Sequence, residues 1–416
     1  MADAGLSPQA LSIAKRNREC AKDSRAIGFF PERKARDRAR RIRSIPQVMK
    51  FLLAPLFLAS VATLHSGVDE SLRTLASVAR EGQGNEAAGT AWSEVVKAGP
   101  SALPALLAAA GKGNPVADNW LRLACDAISD AALRGRQPLP IAEMEAFLKA
   151  TDHPASARQL AFDLIGKADA ALADKIEPGL IHDPVQELRR GAVQRLIDSG
   201  KKQTHGTSGT NVNETFLKAL EAVRDEDQTN EIASELKKLG TVVDLPKHFG
   251  FLMKWNVIGP FDNAERKGFD TAFPPEREVK LDAEYDGKTG KVKWKPFESK
   301  DEMGKLDFNK PLGSLKEVTA YAVTTFDSPA ERDAELRLGC KNGWKVWLNG
   351  ELLFSRDEYH RGAQMDQYKM KCHLKKGANT VLVKCCQNEQ TEKWTVEWEF
   401  QLRVCDSTGT AILAAK

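Results

Sequence analysis

The hydrophobic pattern of this chain changes period near residue 240, and one core cannot serve both halves. From about Ser71 to Gly240, Ala and Leu recur at helical spacing, with Gly and Pro as punctuation and no strand-like alternation. Beyond Gly240 the runs are short and alternate, and six of the eight Trp residues lie past position 250. With 416 residues there is material for two or three domains. A composition of 42% hydrophobic and 28% charged residues suits globular protein and excludes collagen-like, wholly disordered and multi-spanning membrane chains.

In the helical half, three segments begin alike: Asn114-Pro115-Val116, His153-Pro154-Ala155 and Asp183-Pro184-Val185. Each places a capping candidate before a proline at the first helical position, where the missing N–H costs nothing. The third runs into an amphipathic stretch, with Leu188, Ala192, Val193, Leu196 and Ile197 on one side and Arg189, Arg190 and Gln194 on the other. The prolines are 39 and 30 residues apart, the size of two-helix repeat units. Residues 183–196 resemble the second helix of a HEAT repeat, which opens with Asp-Pro and sets Arg and Ala where Arg189 and Ala192 lie. Arg158 and Ala161 match in the middle copy, and only Ala124 in the first. The resemblance implies an α-helical solenoid over 71–240 offering a surface to a protein partner, the alternative being an ordinary helical bundle. Residues 201–213 read as a polar loop, with two more helices near Thr215–Val223 and Gln228–Leu239. Beside their prolines, His153 and His182 suit capping better than metal binding.

The second half reads as an antiparallel β-sandwich. Strand-like runs cover Ala320–Phe326, Ala334–Leu338, Trp344–Leu348, Tyr368–Leu374, Thr380–Cys386 and Thr395–Val404, with turn signals at Asn342-Gly343, Asn349-Gly350 and Lys376-Gly377. The last run points Val396, Trp398, Phe400 and Leu402 inward and Glu397, Glu399, Gln401 and Arg403 outward. Residues 255–263, 343–350 and 374–384 together resemble the galactose-binding-like jelly rolls appended to many secreted bacterial proteins, sugar-binding domains of glycoside hydrolases among them. The likeness covers about 250–412, and joining a HEAT-like region to such a module is similar to secreted proteins of environmental bacteria such as planctomycetes. It implies a module that binds carbohydrate, binds calcium structurally or holds neighbouring domains.

Sugar recognition needs an exposed aromatic face with planar polar side chains beside it. On the central strand Trp344 and Val346 share one face and Lys345 and Trp347 the other. Because Lys345 needs water, Trp347 is the exposed-aromatic candidate. The following loop supplies Asp357, Glu358, Tyr359, His360, Arg361 and Asp366. Arg361 is placed to clamp hydroxyls or a carboxylate, with Asp262 and Asn263 joining from the opening loop. In the alternative, Trp347 packs under that loop and Arg361 pairs with Asp366. Calcium is disfavoured for want of an Asp-rich ligand loop.

Residues 1–48 hold 12 Lys+Arg and 5 Asp+Glu, a balance of +7, which leaves −3 for the rest. Without that segment no basic field remains for phosphate, so nucleic-acid binding is disfavoured. Residues 49–62 have the anatomy of a signal peptide: Lys50, an apolar run too short to span a bilayer, then small Ser60 and Ala62. The expectation is export to the periplasm or beyond, cleavage near Ala62, and no membrane anchor. Residues 1–48 are then a mis-assigned upstream extension starting before Met49, or a genuine basic segment. Of seven cysteines, Cys20 falls in that extension; Cys125, Cys340, Cys372, Cys385, Cys386 and Cys405 show no zinc or redox spacing and read as buried thiols in preference to disulfides.

Enzyme signatures fail. Asp282–Thr289 ends like a phosphate loop but lacks its first Gly and the helix after it, and Gly206–Gly209 is not a nucleophile elbow. The acids Glu284, Asp286, Glu298, Asp301 and Glu302 read as a solvated loop. No cofactor or metal is implied. The expectation is an exported, non-catalytic binding or scaffold protein, with a helical surface for a protein partner and a sandwich for glycan or partner. The alternatives are a carbohydrate-active hydrolase without a recognisable motif and a ligand-free structural envelope protein.

Overall fold

Asn114 caps as expected: its Oδ1 accepts from Val116 N and Ala117 N at 3.2 and 3.3 Å, and Pro115 opens the helix that follows. Such a cap contributes about 1 kcal/mol. The structure is a computed structural model that describes residues 67–112, 114–204 and 212–415. The expectations for residues 1–48, the segment 49–62 and Cys20 lie outside the described residues. Among those described, no helix is long and apolar enough to cross a membrane.

The helical half comprises α1 (67–76), α2 (Asn85–Ala98), α3 (Leu103–Ala109), α4 (Pro115–Arg134), α5 (Ile141–Lys149), α6 (Ala155–Ala168), α7 (Ala170–Ile176), α8 (Gln186–Thr204), α9 (Val212–Ala222) and α10 (Glu226–Lys238). Their apolar faces merge into one core running from Leu72 to Leu236. His153 does not cap; its ring stacks on Phe147 at 3.8 Å. Asp183 Oδ1 accepts from Val185 N at 2.9 Å in the turn that leads into α8 at Gln186. The same carboxylate takes two bonds from Arg158, at 2.7 and 2.6 Å, and the Arg158 side chain is 1% exposed. This buried fork bolts α6 to the start of α8. Arg189, expected on the polar side of α8, is buried instead, because the β half packs over it and Thr408 O accepts from its Nη2 at 3.3 Å. Of the expected loop 201–213, residues 201–204 continue α8 and 205–211 lie outside the described residues.

After α11 (Leu245–Phe249) the chain turns through Gly250, whose φ of +79° favours glycine and whose added Cβ would lie 2.7 Å from Val404 O. The strands are β1 (Lys254–Asp262), β2 (Glu284–Asp286), β3 (Lys291–Lys293), β4 (Lys295–Glu298), β5 (Lys305–Asp307), β6 (Val318–Ser328), β7 (Arg332–Cys340), β8 (Gly343–Leu348), β9 (Glu351–Arg356), β10 (Tyr368–Leu374), β11 (Gly377–Gln387) and β12 (Glu399–Cys405). They form a six-stranded sheet, β4-β1-β6-β11-β8-β9, and a four-stranded sheet, β10-β7-β12-β5, with β2-β3 as a separate hairpin. The pairings of these named strands are antiparallel. The two larger sheets face each other across a core that includes Trp255, Val257, Trp344 and Val346 from the first and Leu336, Leu338, Phe400 and Leu402 from the second. The chain is therefore a helical region followed by an antiparallel β-sandwich.

A second core lies on the outer face of the six-stranded sheet. Ile258, Phe261, Tyr321, Val323, Trp347 and Leu382 pack there against Val292, Trp294 and Phe273, all carried by the segment between β1 and β4. Lys384 anchors that cover: wholly buried, its Nζ donates to Phe269 O, Thr271 O and Glu276 Oε1 at 2.9, 2.8 and 2.7 Å. Tyr321 Oη donates to the same Glu276 Oε1 at 2.5 Å. With both faces covered, β6 reads as a nearly continuous apolar run, as doubly buried strands do. The acids Glu284 and Asp286, expected in a loop, sit on the β2-β3 hairpin and pair with Lys293 and Lys291.

Candidate functional site

One end of the sandwich gathers loops distant in sequence. Beside β6, the end of β1 delivers Asn263, whose N donates to Glu317 O at 2.9 Å. The end of β11 reaches the same place, with Glu317 N donating to Asn388 O at 3.0 Å. The loop after β9 adds Tyr359 and His360. Asn263 is 1% exposed; its Nδ2 donates to Gln387 O at 2.9 Å and Tyr359 Oη at 3.3 Å, while its Oδ1 is buried without a partner. His360 takes a left-handed φ of 57°, held by its N–H to Lys341 O at 2.6 Å.

Above this floor stands Trp394, in a short turn before β12, with 62% of its surface exposed. The His360 ring meets it edge-on at 5.2 Å, and His360 Nε2 shares a 2.9 Å hydrogen bond with Asn388 Oδ1. Nearby, Arg266 donates to both Glu389 oxygens and lies 5.2 Å over the Tyr359 ring. The bond from Arg266 holds the Glu389 carboxyl down to about 2. Burial, with Asp270 next, raises the Asp357 carboxyl on the same loop. An open indole face beside an amide, an imidazole and a paired guanidinium and carboxylate can take the apolar face of a sugar ring and its hydroxyls. Among the described residues no group of His, Cys, Asp or Glu is arranged to hold a metal ion.

The five side chains expected to bind ligand fall in four places. Trp347 is 7% exposed and belongs to the second core, because the segment between β1 and β4 covers the face that sequence reasoning left to solvent. Lys345 shares that face but extends 4.4 Å over the Phe269 ring. Asp366 does not pair with Arg361. It accepts from Arg403 Nε and Nη2, each at 2.6 Å, and from Arg337 Nη1 at 2.7 Å, while Arg361 is exposed and has Glu358 at 3.7 Å. Only Asp262 and Asn263 stay together, Asp262 pairing with Lys288 at 3.1 Å. Trp394, Asn388 and Arg266 escaped the sequence reading; the available signal was a tryptophan at the end of the aperiodic polar stretch 387–393.

No family model matches this sequence. A comparison with curated proteins finds no match. Among solved structures, β-glucosidase from Kluyveromyces marxianus in complex with glucose is similar over 21% of this chain and 10% of that one, at 20% identity and a TM-score of 0.17. An anti-sigma factor domain-containing protein is similar over 28% of this chain and 41% of its own, at 17% identity and 0.20. The GH31 α-xylosidase from Xanthomonas citri is similar over 27% and 15%, at 10% identity and 0.18. This chain thus spans well under two thirds of each of these proteins.

Proposed function

We propose that this chain is an exported, non-catalytic carbohydrate-binding protein carried on a helical scaffold. The exposed Trp394 indole, framed by His360, Asn388 and the Arg266–Glu389 pair, is the observation that carries the reading. Two facing antiparallel sheets support a galactose-binding-like jelly roll. The fork from Arg158 of one Pro-headed motif to Asp183 of the next supports HEAT-like units, whose outer surface would meet a protein partner. Export rests on the n–h–c pattern of residues 49–62.

The test is a glycan array with the full chain beside a Trp394→Ala variant, followed by calorimetry on any hit. Saturable binding, weakened about tenfold or more without the indole, is expected from the apolar area a stacked sugar buries. A blank array, or equal binding by Trp394→Ala, would overturn the reading.

A further inference from the structure

A second cleft, of about 740 Å³, opens where the helical half meets the sandwich, away from the Trp394 turn in sequence and in its lining. That volume falls within the ~300–1,000 Å³ of small-molecule sites. Its cations and anions are unequally engaged. Arg189 is 4% exposed, yet its bonds go only to carbonyls, Asp183 O at 2.8 Å, Pro184 O at 3.4 Å and Thr408 O at 3.3 Å, and its buried Nε has no acceptor. Arg224 spends Nε on Thr410 Oγ1 at 3.0 Å and Nη1 on Glu221 O and Val223 O, both at 2.7 Å. Among the described residues, neither guanidinium has a carboxylate within ion-pair distance, and Arg224 Nη2 and the exposed Lys369 ammonium make no hydrogen bond.

The acidic groups around the cleft are mostly taken. Asp366 serves Arg337 and Arg403, Asp227 serves Arg190, and Asp225 accepts from Gln186 Nε2 at 2.5 Å. Asp406 spends one oxygen on Thr408 and Thr410 of its own turn. Among the described acids that line the cleft, Glu226 alone makes no side-chain hydrogen bond or ion pair. Burying a guanidinium without a paired carboxylate is costly, and here the buried Arg189 lies beside a half-buried Arg224. Burial pulls both guanidinium pKa values below the ordinary arginine value, against the opposing charges of Asp225, Asp183 and Asp406 on Arg189 and of Asp406 and Glu221 on Arg224.

We propose that this cleft binds a sugar acid: a polyhydroxylated ring whose single carboxylate lies between Arg224 and Lys369, over the Arg189 floor. Arg224 Nη2, whose hydrogens are free, can donate a charge-assisted bond to one carboxylate oxygen, and the Lys369 ammonium can donate to the other. The free Glu226 carboxylate at the rim disfavours the second negative charge of a phosphate dianion and is placed to accept protons from hydroxyls. This site is separate from the Trp394 turn and goes beyond the reading given above.

The experiment is calorimetric titration of the full chain with galacturonate and glucuronate, against galactose, acetate and inorganic phosphate. Saturable binding of a sugar acid is expected, with galactose and acetate at least about tenfold weaker. Arg224→Gln should cost about tenfold or more and Lys369→Gln severalfold. Lys369 is exposed on β10, so its variant keeps the test sharp where Arg224→Gln perturbs folding. Phosphate or acetate binding as tightly as the sugar acids, binding indifferent to both substitutions, or no binding at all would overturn the proposal. Loss in Trp394→Ala with retention in Arg224→Gln would place the acid at the other site and overturn it equally.

Discussion

Replacing Asp366 by Asn separates a ligand-binding aspartate from one that holds the fold. Its carboxylate takes three charge-assisted bonds, 2.6, 2.6 and 2.7 Å long, from Arg403 and Arg337, which are 1% and 6% exposed. The amide keeps one acceptor oxygen and turns an NH₂ toward a guanidinium, leaving two buried cations with one carboxylate, Glu335, between them. Breaking a buried pair from one side costs about 3–5 kcal/mol. Spread over a domain of sandwich size, that lowers the melting temperature by roughly 10 °C. Burial alone would raise the Asp366 carboxyl, but the bonds from Arg403 and Arg337 outweigh it and leave it below the usual carboxylate range. Its stabilisation is therefore complete above the unfolded value and is lost as pH falls through the folded one, so the gap between wild type and variant should close in acid. Circular dichroism melts from pH 7 down to pH 3 read both effects. Arg361→Ala is the control, since an exposed arginine 3.7 Å from Glu358 should shift the melt by no more than about 1 °C. An Asp366→Asn protein melting within about 2 °C of wild type at pH 7 would refute the reasoning.

The anchor beneath the sheet cover makes a second case: Lys384→Met strands the Glu276 carboxylate and should cost about 3–5 kcal/mol, with Lys384→Met/Glu276→Gln recovering part of it. Urea unfolding checks this, and equal stability of single and double variants would show that the pair is not coupled. His248 is pushed down from 6.5 to about 4 by burial, then by Arg224 and Arg403, so the unfolded chain takes up the proton first as pH falls. Stability should drop by up to about 3 kcal/mol between those values, and His248→Phe should flatten that slope in chemical-denaturation curves. The thiols of Cys372, Cys386 and Cys405 are raised to about 11 and that of Cys125 to about 12, burial being the leading cause in each. Maleimide at pH 8 should therefore label them far more slowly in the native than in the unfolded protein; comparable rates would contradict the burial.

The elements that alternation or capping defines locally were legible in the sequence. β10 runs from Tyr368 to Leu374 as its apolar spacing and flanking turn predict, and Asn114 caps the helix it heads. The faces of β8 were also legible: Trp344 and Val346 enter the sandwich core, and Trp347 points the other way. What alternation cannot tell is what lies on the second face. The cover over Trp347 is drawn from residues 263–294, which carry no period, and its fastening by Lys384 puts a charged residue where pattern reading expects none. In β12, Phe400 and Leu402 turn inward as predicted, yet Gln401 and Arg403 are buried as well. Asp366, Phe249 O and Gly409 O come from three separate segments to close over Arg403. Val396 breaks the expected alternation, lying before β12 and half exposed.

Arg189 marks the same boundary in the helical half. Its spacing places it with Arg190 and Gln194 on the hydrophilic side of α8, and Arg190 does reach the surface pair with Asp227. Arg189 instead meets a carbonyl 219 residues away, at Thr408. A long-range contact of that kind leaves no trace in local pattern, because the helix would be equally amphipathic without it. The energetic consequence is nevertheless specific. A cation placed for solvent has been desolvated by a neighbouring region that offers it carbonyls and no carboxylate, and Arg224 beside it is treated alike through Thr410. A fold under selection only for stability would gain by pairing these charges, as Arg158 is paired with Asp183 and Arg403 with Asp366. That these two guanidiniums lack a carboxylate in a cleft where Arg337 is paired with Asp366 is what turns a cost to the fold into an argument for a ligand.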